Sequence, residues 1–188
     1  DGGRWNETDA AVERALELFA QGADLVDLGA ESTRPGGGVY GGGAREVPAN
    51  EEIERLLPVI ERLRSRTDRP ISVDTRKARV AQHALEAGAD LINDVSALGE
   101  PDLGLLVADA GCPVVLMHSR GEISSMQRGI DFDDVVSEVR EELASAVVQA
   151  VACGIERSQI LVDTVIGFGK TASQNAALLR ALDELQAV

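Results

Sequence analysis

The chain is 188 residues long, 44% hydrophobic and 27% charged, which is enough apolar material for a sizeable core and unlike a disordered segment. Asp and Glu number 32 against 18 Lys and Arg, and the net charge of -14 has the wrong sign for gripping nucleic acid or an anionic membrane surface. No apolar run approaches the roughly 20 residues that span a bilayer, so the expected partners include neither nucleic acid nor membrane, and the expected setting is the cytoplasm.

Helical and strand patterns alternate along the chain. A helical pattern over 8 to 21 leads through Gly22 into a strand-type run at 24 to 29 (DLVDLG). A helix at 51 to 65, with Ile53, Leu56, Leu57 and Ile60 at helical steps, precedes a strand at 70 to 74. Then come a helix at 77 to 87 and a strand at 90 to 95, a helix at 101 to 110 and a strand at 113 to 118, and a helix at 133 to 152 and a strand at 160 to 163. A last helix starts near 174. Gly22, Gly88, Gly111 and Gly154 follow helix ends, where a left-handed cap favours glycine. Cys112 and Cys153 have neither a CxxC spacing nor a nearby His pairing and are expected to be buried thiols.

Such alternation calls for a parallel sheet with right-handed crossovers, either doubly wound or closed as a (β/α)8 TIM barrel. No GxGxxG or GxxxxGKS opens a helix after a strand, which favours the barrel. A barrel commonly needs about 250 residues. The chain opens on Asp1 without Met and stops inside a helical pattern. The expectation is one barrel domain over 1 to 188, incomplete, with about five of the eight strands: the first strand would precede Asp1 and the last two would follow Val188.

In a barrel the C-terminal strand tips and the loops after them carry the chemistry. Each apolar strand here ends in polar groups: Glu31 to Arg34, Asp74 and Thr75, Asn93 and Asp94, Met117, His118 and Arg120, and Asp163. All are expected to converge on one pocket. Asp74, Asn93 and Asp163 suit the edge of a planar, nitrogen-rich heterocycle, since a carboxylate can accept from a ring N–H and an amino group together. Met117 would offer a polarizable face to its ring. With two histidines in the chain, and His83 inside a helix, a His-based metal site is a weak rival.

The stretches ESTRPG at 31 to 36, SVDTRKARV at 72 to 80, INDVSAL at 92 to 98, LMHSRG at 116 to 121 with MQ at 126 to 127, and GFGKT at 167 to 171, after DGG at 1 to 3, resemble dihydropteroate synthase over essentially the whole chain. The resemblance implies a (β/α)8 barrel, usually a homodimer, that joins p-aminobenzoate to 6-hydroxymethyl-7,8-dihydropterin diphosphate and releases pyrophosphate with Mg²⁺. It places Asp74, Asn93 and Asp163 on the pterin, with Val95 and Met117 packing near its ring. Thr33 and Arg34 would lie towards the diphosphate, Thr33 and Pro35 would shape the p-aminobenzoate site, and Phe168 would close it. Asp1 matches the last acid of the first mobile loop, and Asp1 and Arg34 are the residues assigned to catalysis. The metal-contacting Asn of the family would lie before Asp1, leaving no metal ligand within this chain. A pterin-dependent methyltransferase barrel shares the Asp and Asn contacts but has no reason to carry Ser-Thr-Arg-Pro-Gly or Gly-Phe-Gly-Lys. The chain departs from the family at 164 and 165, where Thr-Val replaces the usual Pro-Gly, and in a lengthened second loop, VYGGGAREVPAN. Those substitutions motivate a third reading, a pterin-binding paralogue without activity.

Overall fold

The computed structural model describes residues 5–31, 46–120, 131–167, 169–186 and 188. Helix α1 (Thr8–Ala20) is followed by β1 (Val26–Gly29), α2 (Ala49–Arg64), β2 (Ile71–Asp74), α3 (Ala78–Glu86), β3 (Leu91–Asp94), α4 (Pro101–Ala110), β4 (Val114–Met117), α5 (Val135–Ala152), β5 (Ile160–Asp163), α6 (Ala172–Arg180) and α7 (Leu182–Leu185). Among the described residues the five strands are parallel and lie in sequence order, β1-β2-β3-β4-β5. A doubly wound sheet would reverse its order at a switch point and carry helices on both faces. Here Val73, Ile92, Val114 and Leu116 pack against Ile60 of α2, Val80 and Ala84 of α3, Leu103 and Val107 of α4 and Ala150 of α5. Sequential order with right-handed crossovers puts every helix on that one face. The architecture is therefore an α/β barrel wall of five strands, as expected.

The helices reach the sheet through amphipathic faces. Val12, Ala15 and Phe19 of α1 meet Val59 and Leu63 of α2 over Val26 and Ile71. At the other end of the wall, Val139 and Leu143 of α5 enclose Leu178 of α6 and Leu185 of α7. Gly22, Gly88, Gly111 and Gly154 end their helices at φ of 103°, 108°, 62° and 100°, the left-handed region that the sequence reserves for glycine. Cys112 is buried, but Cys153 is only partly so, because it sits just past the last turn of α5.

The N-terminal end of the wall is closed by Arg64 at the end of α2. Its Nε donates to the Gly88 carbonyl at 3.0 Å, its Nη1 to those of Thr67 and Arg69, and its Nη2 reaches Asp90 at 2.5 Å. Asp90 in turn accepts the Ile71 N–H at 2.8 Å. One guanidinium thus satisfies carbonyls after two helices and, through Asp90, the first amide of β2. Among the described residues no helix is long and apolar enough to cross a membrane.

Candidate active site at the C-terminal ends of the strands

Side chains alternate along a strand, so the residues between the helix-facing ones point into the barrel interior. Gly29, Asp74, Asn93, Val115 and Leu161 form one row across all five strands, with Asp27, Ser72 and Leu91 beneath it and Met117 beside Asp163 above it. Asp74, Asn93, Met117 and Asp163 therefore share the helix-free face, as the sequence predicts. Val95, just past β3, is buried with Met117 and Val165 in an apolar group separate from the main core. Asp1, Thr33, Arg34, Pro35 and Phe168 lie outside the described residues.

The expectation that every polar strand tip converges on the pocket is corrected by the same alternation. Thr75, Asp94 and His118 each follow an inward residue by one position and turn outward. Asp94 is fully buried and accepts from the Ser96 N–H at 2.8 Å, the Ser96 hydroxyl at 2.6 Å and the Leu98 N–H. It thereby holds a tight turn in which Ala97 and Leu98 sit at φ of 50° and 62°. His118 donates from Nε2 to Glu142 of α5 at 2.9 Å. Arg120 reaches Glu138 at 2.6 Å and Glu142, and lies 4.1 Å over the Phe132 ring. These groups tie the β4 end to α5 and have a structural role.

Asp27 was not singled out from the sequence, yet it lies on the same inward face. The Asn93 Nδ2 donates to its Oδ2 at 3.3 Å, which orients the amide with its nitrogen toward β1. A Cβ on Gly29 would stand 3.3 Å from the Asp74 Cβ, so a side chain there would crowd the carboxylate. Burial raises the Asp74 carboxyl to about 7, helped by the neighbouring charges of Asp27, Glu52, Glu31 and Asp94. A carboxyl poised near neutrality in a cleft marks a functional position.

The β5 end is organised around Asp163. Its Oδ1 accepts the Val165 N–H at 2.8 Å, and the Val165 carbonyl accepts from Lys170 Nζ at 3.3 Å. Lys170 also lies 3.3 Å from His118 Nδ1. Burial lowers the Lys170 ammonium to about 8 although Asp163 and Glu142 oppose the shift. Val165 takes φ of 53°, where the family's usual glycine would be unstrained.

Lys77 stands at the N-cap of α3. Its Nζ donates to Glu31 Oε2 at 2.6 Å, to the Val47 carbonyl and to Glu52, while Thr75 donates to the other Glu52 oxygen at 3.1 Å. Glu52 is 1% exposed, so this is a buried ion pair. Burial opposes the charge on Lys77, but its bonds to Glu31 and Glu52 hold the ammonium above its ordinary value. The side chain links residue 31 to residue 47 and does not face the pocket; this supports a structural reading of Lys77. Among the described residues no group of three or more His, Cys, Asp or Glu side chains is placed to hold a metal ion.

The profile of the pterin binding enzymes matches residues 1–188. The chain is 42% identical over 187 residues to the dihydropteroate synthase of Synechocystis sp., covering 99% of this chain and 62% of that protein. Its structure is similar to that of Xanthomonas albilineans dihydropteroate synthase with 4-aminobenzoic acid, with TM-score 0.87 and 43% identity over 100% of this chain and 64% of the other. It is also similar to Yersinia pestis dihydropteroate synthase in a sulfonamide drug complex, with TM-score 0.90 and 40% identity over 100% and 65% of the two chains. The chain spans less than two thirds of each of these proteins. A match over the whole length, joined to the inward-facing Asp74, Asn93 and Asp163 on a parallel α/β wall, shows that the chain belongs to the pterin binding enzyme family.

Proposed function

We propose that residues 1–188 form the pterin-binding part of a dihydropteroate synthase, a single barrel domain whose first strand precedes Asp1 and whose last two follow Val188. Its reaction joins p-aminobenzoate to 6-hydroxymethyl-7,8-dihydropterin diphosphate and releases pyrophosphate. The observation that carries this reading is the placement of two carboxylates, Asp74 and Asp163, and the oriented Asn93 on one helix-free face beside Met117. The carboxylates accept the ring N–H and amino donors of a pterin, Asn93 supplies an acceptor between them, and Met117 and Val95 cover the ring. In the reaction the methylene C–O bond breaks, pyrophosphate leaves with the bonding pair, and the amine of p-aminobenzoate forms the new C–N bond and loses a proton. Nearby carboxylates favour the positive charge that develops at the methylene.

The resemblance assigns Asp1 and Arg34 to catalysis, Thr33 and Arg34 to the diphosphate, and Thr33, Pro35 and Phe168 to p-aminobenzoate. The described residues build no metal cluster, so Mg²⁺ is proposed on the resemblance alone, escorting the diphosphate. A cytoplasmic homodimer open to sulfonamides completes the reading; the 4-aminobenzoic acid and sulfonamide complexes of the two similar structures support that ligand class. Pyrophosphate release by the full-length protein with both substrates tests it. No release, with pterin binding retained, would establish the paralogue without activity instead.

A pH dependence follows from Asp74. Its pKa is raised in the fold, so its protonated form carries no cost, whereas ionisation lowers stability as pH rises from about 4 towards 7. Pterin needs the ionised form, so binding releases a proton. Affinity is expected to rise about tenfold per pH unit below 7 and to level off above it. Calorimetry in buffers of different ionisation enthalpy measures that proton. In Asp74→Asn binding is weak and the dependence is absent; an unchanged dependence would place the titrating group elsewhere.

A further inference from the structure

Among the described residues Val165 is the one β-branched residue in the left-handed region. It has a β-branched side chain at φ of 53°, and it is 4% exposed. Such a conformation is strained and persists only where the neighbours over-determine it, which is most often at a ligand site. Here the neighbours do so through both sides of the residue: its N–H is held by Asp163 Oδ1 at 2.8 Å and its carbonyl by Lys170 Nζ at 3.3 Å. Held in this way, the side chain cannot turn out to solvent. Among the described residues it packs with Val95 and Met117 in an apolar group that is separate from the helix-facing core. This group joins the ends of β3, β4 and β5, next to the polar edge groups Asn93 and Asp163.

A polar edge beside an apolar surface is what a flat heterocycle requires: hydrogen bonds in its plane and dispersion contacts over its face. A glycine at 165 would leave the polar edge intact and open the apolar surface. We propose that Val165 is a specificity-determining residue, whose isopropyl group completes an apolar wall with Val95 and Met117 and restricts the pocket to rings without bulk standing out of their plane. The inference rests on the reading of this face as a pterin pocket, and the left-handed backbone is the means by which the wall is placed.

The test compares 6-hydroxymethyl-7,8-dihydropterin with its 7,7-dimethyl analogue, whose methyl groups project on both sides of the ring. Their affinities would be measured by calorimetry on the full-length protein, on Val165→Gly and on Val165→Ala. The natural protein is expected to prefer the flat ligand by at least about tenfold, the discrimination that one carbon commands in an apolar pocket. Val165→Gly should reduce that preference to about threefold or less, with Val165→Ala between the two. Thermal melting of each variant, taken in parallel, reports strain and packing separately. A residue that only shapes the loop would move the melting temperature and leave the ratio alone. A ratio unchanged within about twofold in both variants overturns the proposal while the pterin reading stands. Failure of the natural protein to bind either ligand overturns the pterin reading, and this proposal with it.

Discussion

Asp163→Asn is expected to weaken binding of 6-hydroxymethyl-7,8-dihydropterin by about a hundredfold, about 2.7 kcal/mol. The substitution keeps size and shape, and in many settings an amide could rotate to offer its oxygen. Here it cannot do so without loss. The Val165 N–H already claims the Asp163 Oδ1 at 2.8 Å, and in the variant it draws the amide oxygen to that side. The NH₂ group is then the one presented to the ligand, and donors face donors. The loss should appear with no second substrate present. Pro35→Ala, in the chain segment between β1 and α2, should instead leave pterin affinity nearly unchanged and weaken p-aminobenzoate capture once pyrophosphate and pterin are bound. Calorimetry on the full-length protein measures both, and equal losses of pterin affinity in the two variants would refute this division of the pocket.

Lys77→Met should cost about 3–5 kcal/mol of stability, because it removes the cation from a buried pair and leaves Glu31 and Glu52 facing one another. Denaturant titration would show the midpoint fall, and adding Glu52→Gln should recover part of the loss by removing the stranded charge. Catalysis is the control. Turnover per folded molecule should drop by less than about a hundredfold, about 2.7 kcal/mol, since Lys77 holds the chain and not the substrate. A larger loss with folding intact would make Lys77 part of the chemistry.

The wall of strands and helices was legible because its signals are local and repeated. Each strand is a short apolar run, each helix shows its own period, and four glycines mark helix ends at positive φ. The boundaries mostly agree within two residues, and the main departure is the short α7 after α6. Asp74, Asn93, Met117 and Asp163 were legible for a related reason, as each stands at the end of an apolar run. What local patterns could not show was direction. Thr75, Asp94 and His118 also stand at strand ends, but a shift of one residue sends a side chain to the opposite face. The signal that could have sorted them was period two along each strand, which sets Thr75, Asp94 and His118 one position out of step with Asp74, Asn93 and Met117. The same period counted back from Gly29, the register partner of Asp74, finds Asp27, a charge inside an apolar strand whose neighbours Val26 and Leu28 face the helices. Glu52 was hidden in a helix rich in acids, and only its burial against Lys77 separates it from the others. Val165 was visible as a departure from the family, but its backbone conformation and its apolar partners come from three different strand ends.

The Arg64 cluster has a bearing on how such a protein could change over time. It sits at the opening of β2, a strand length of about 10 Å from the pocket, and none of its partners is a pocket residue. Substitutions separated by that distance, with no shared partner, combine their effects almost independently. Robustness gained at this end is therefore a reserve that the ligand end can draw on. A lineage that improves the seam around Arg64 and Asp90 can then tolerate a strained or charge-crowded novelty at the mouth, such as a valine in a left-handed turn, before any benefit from it has been refined.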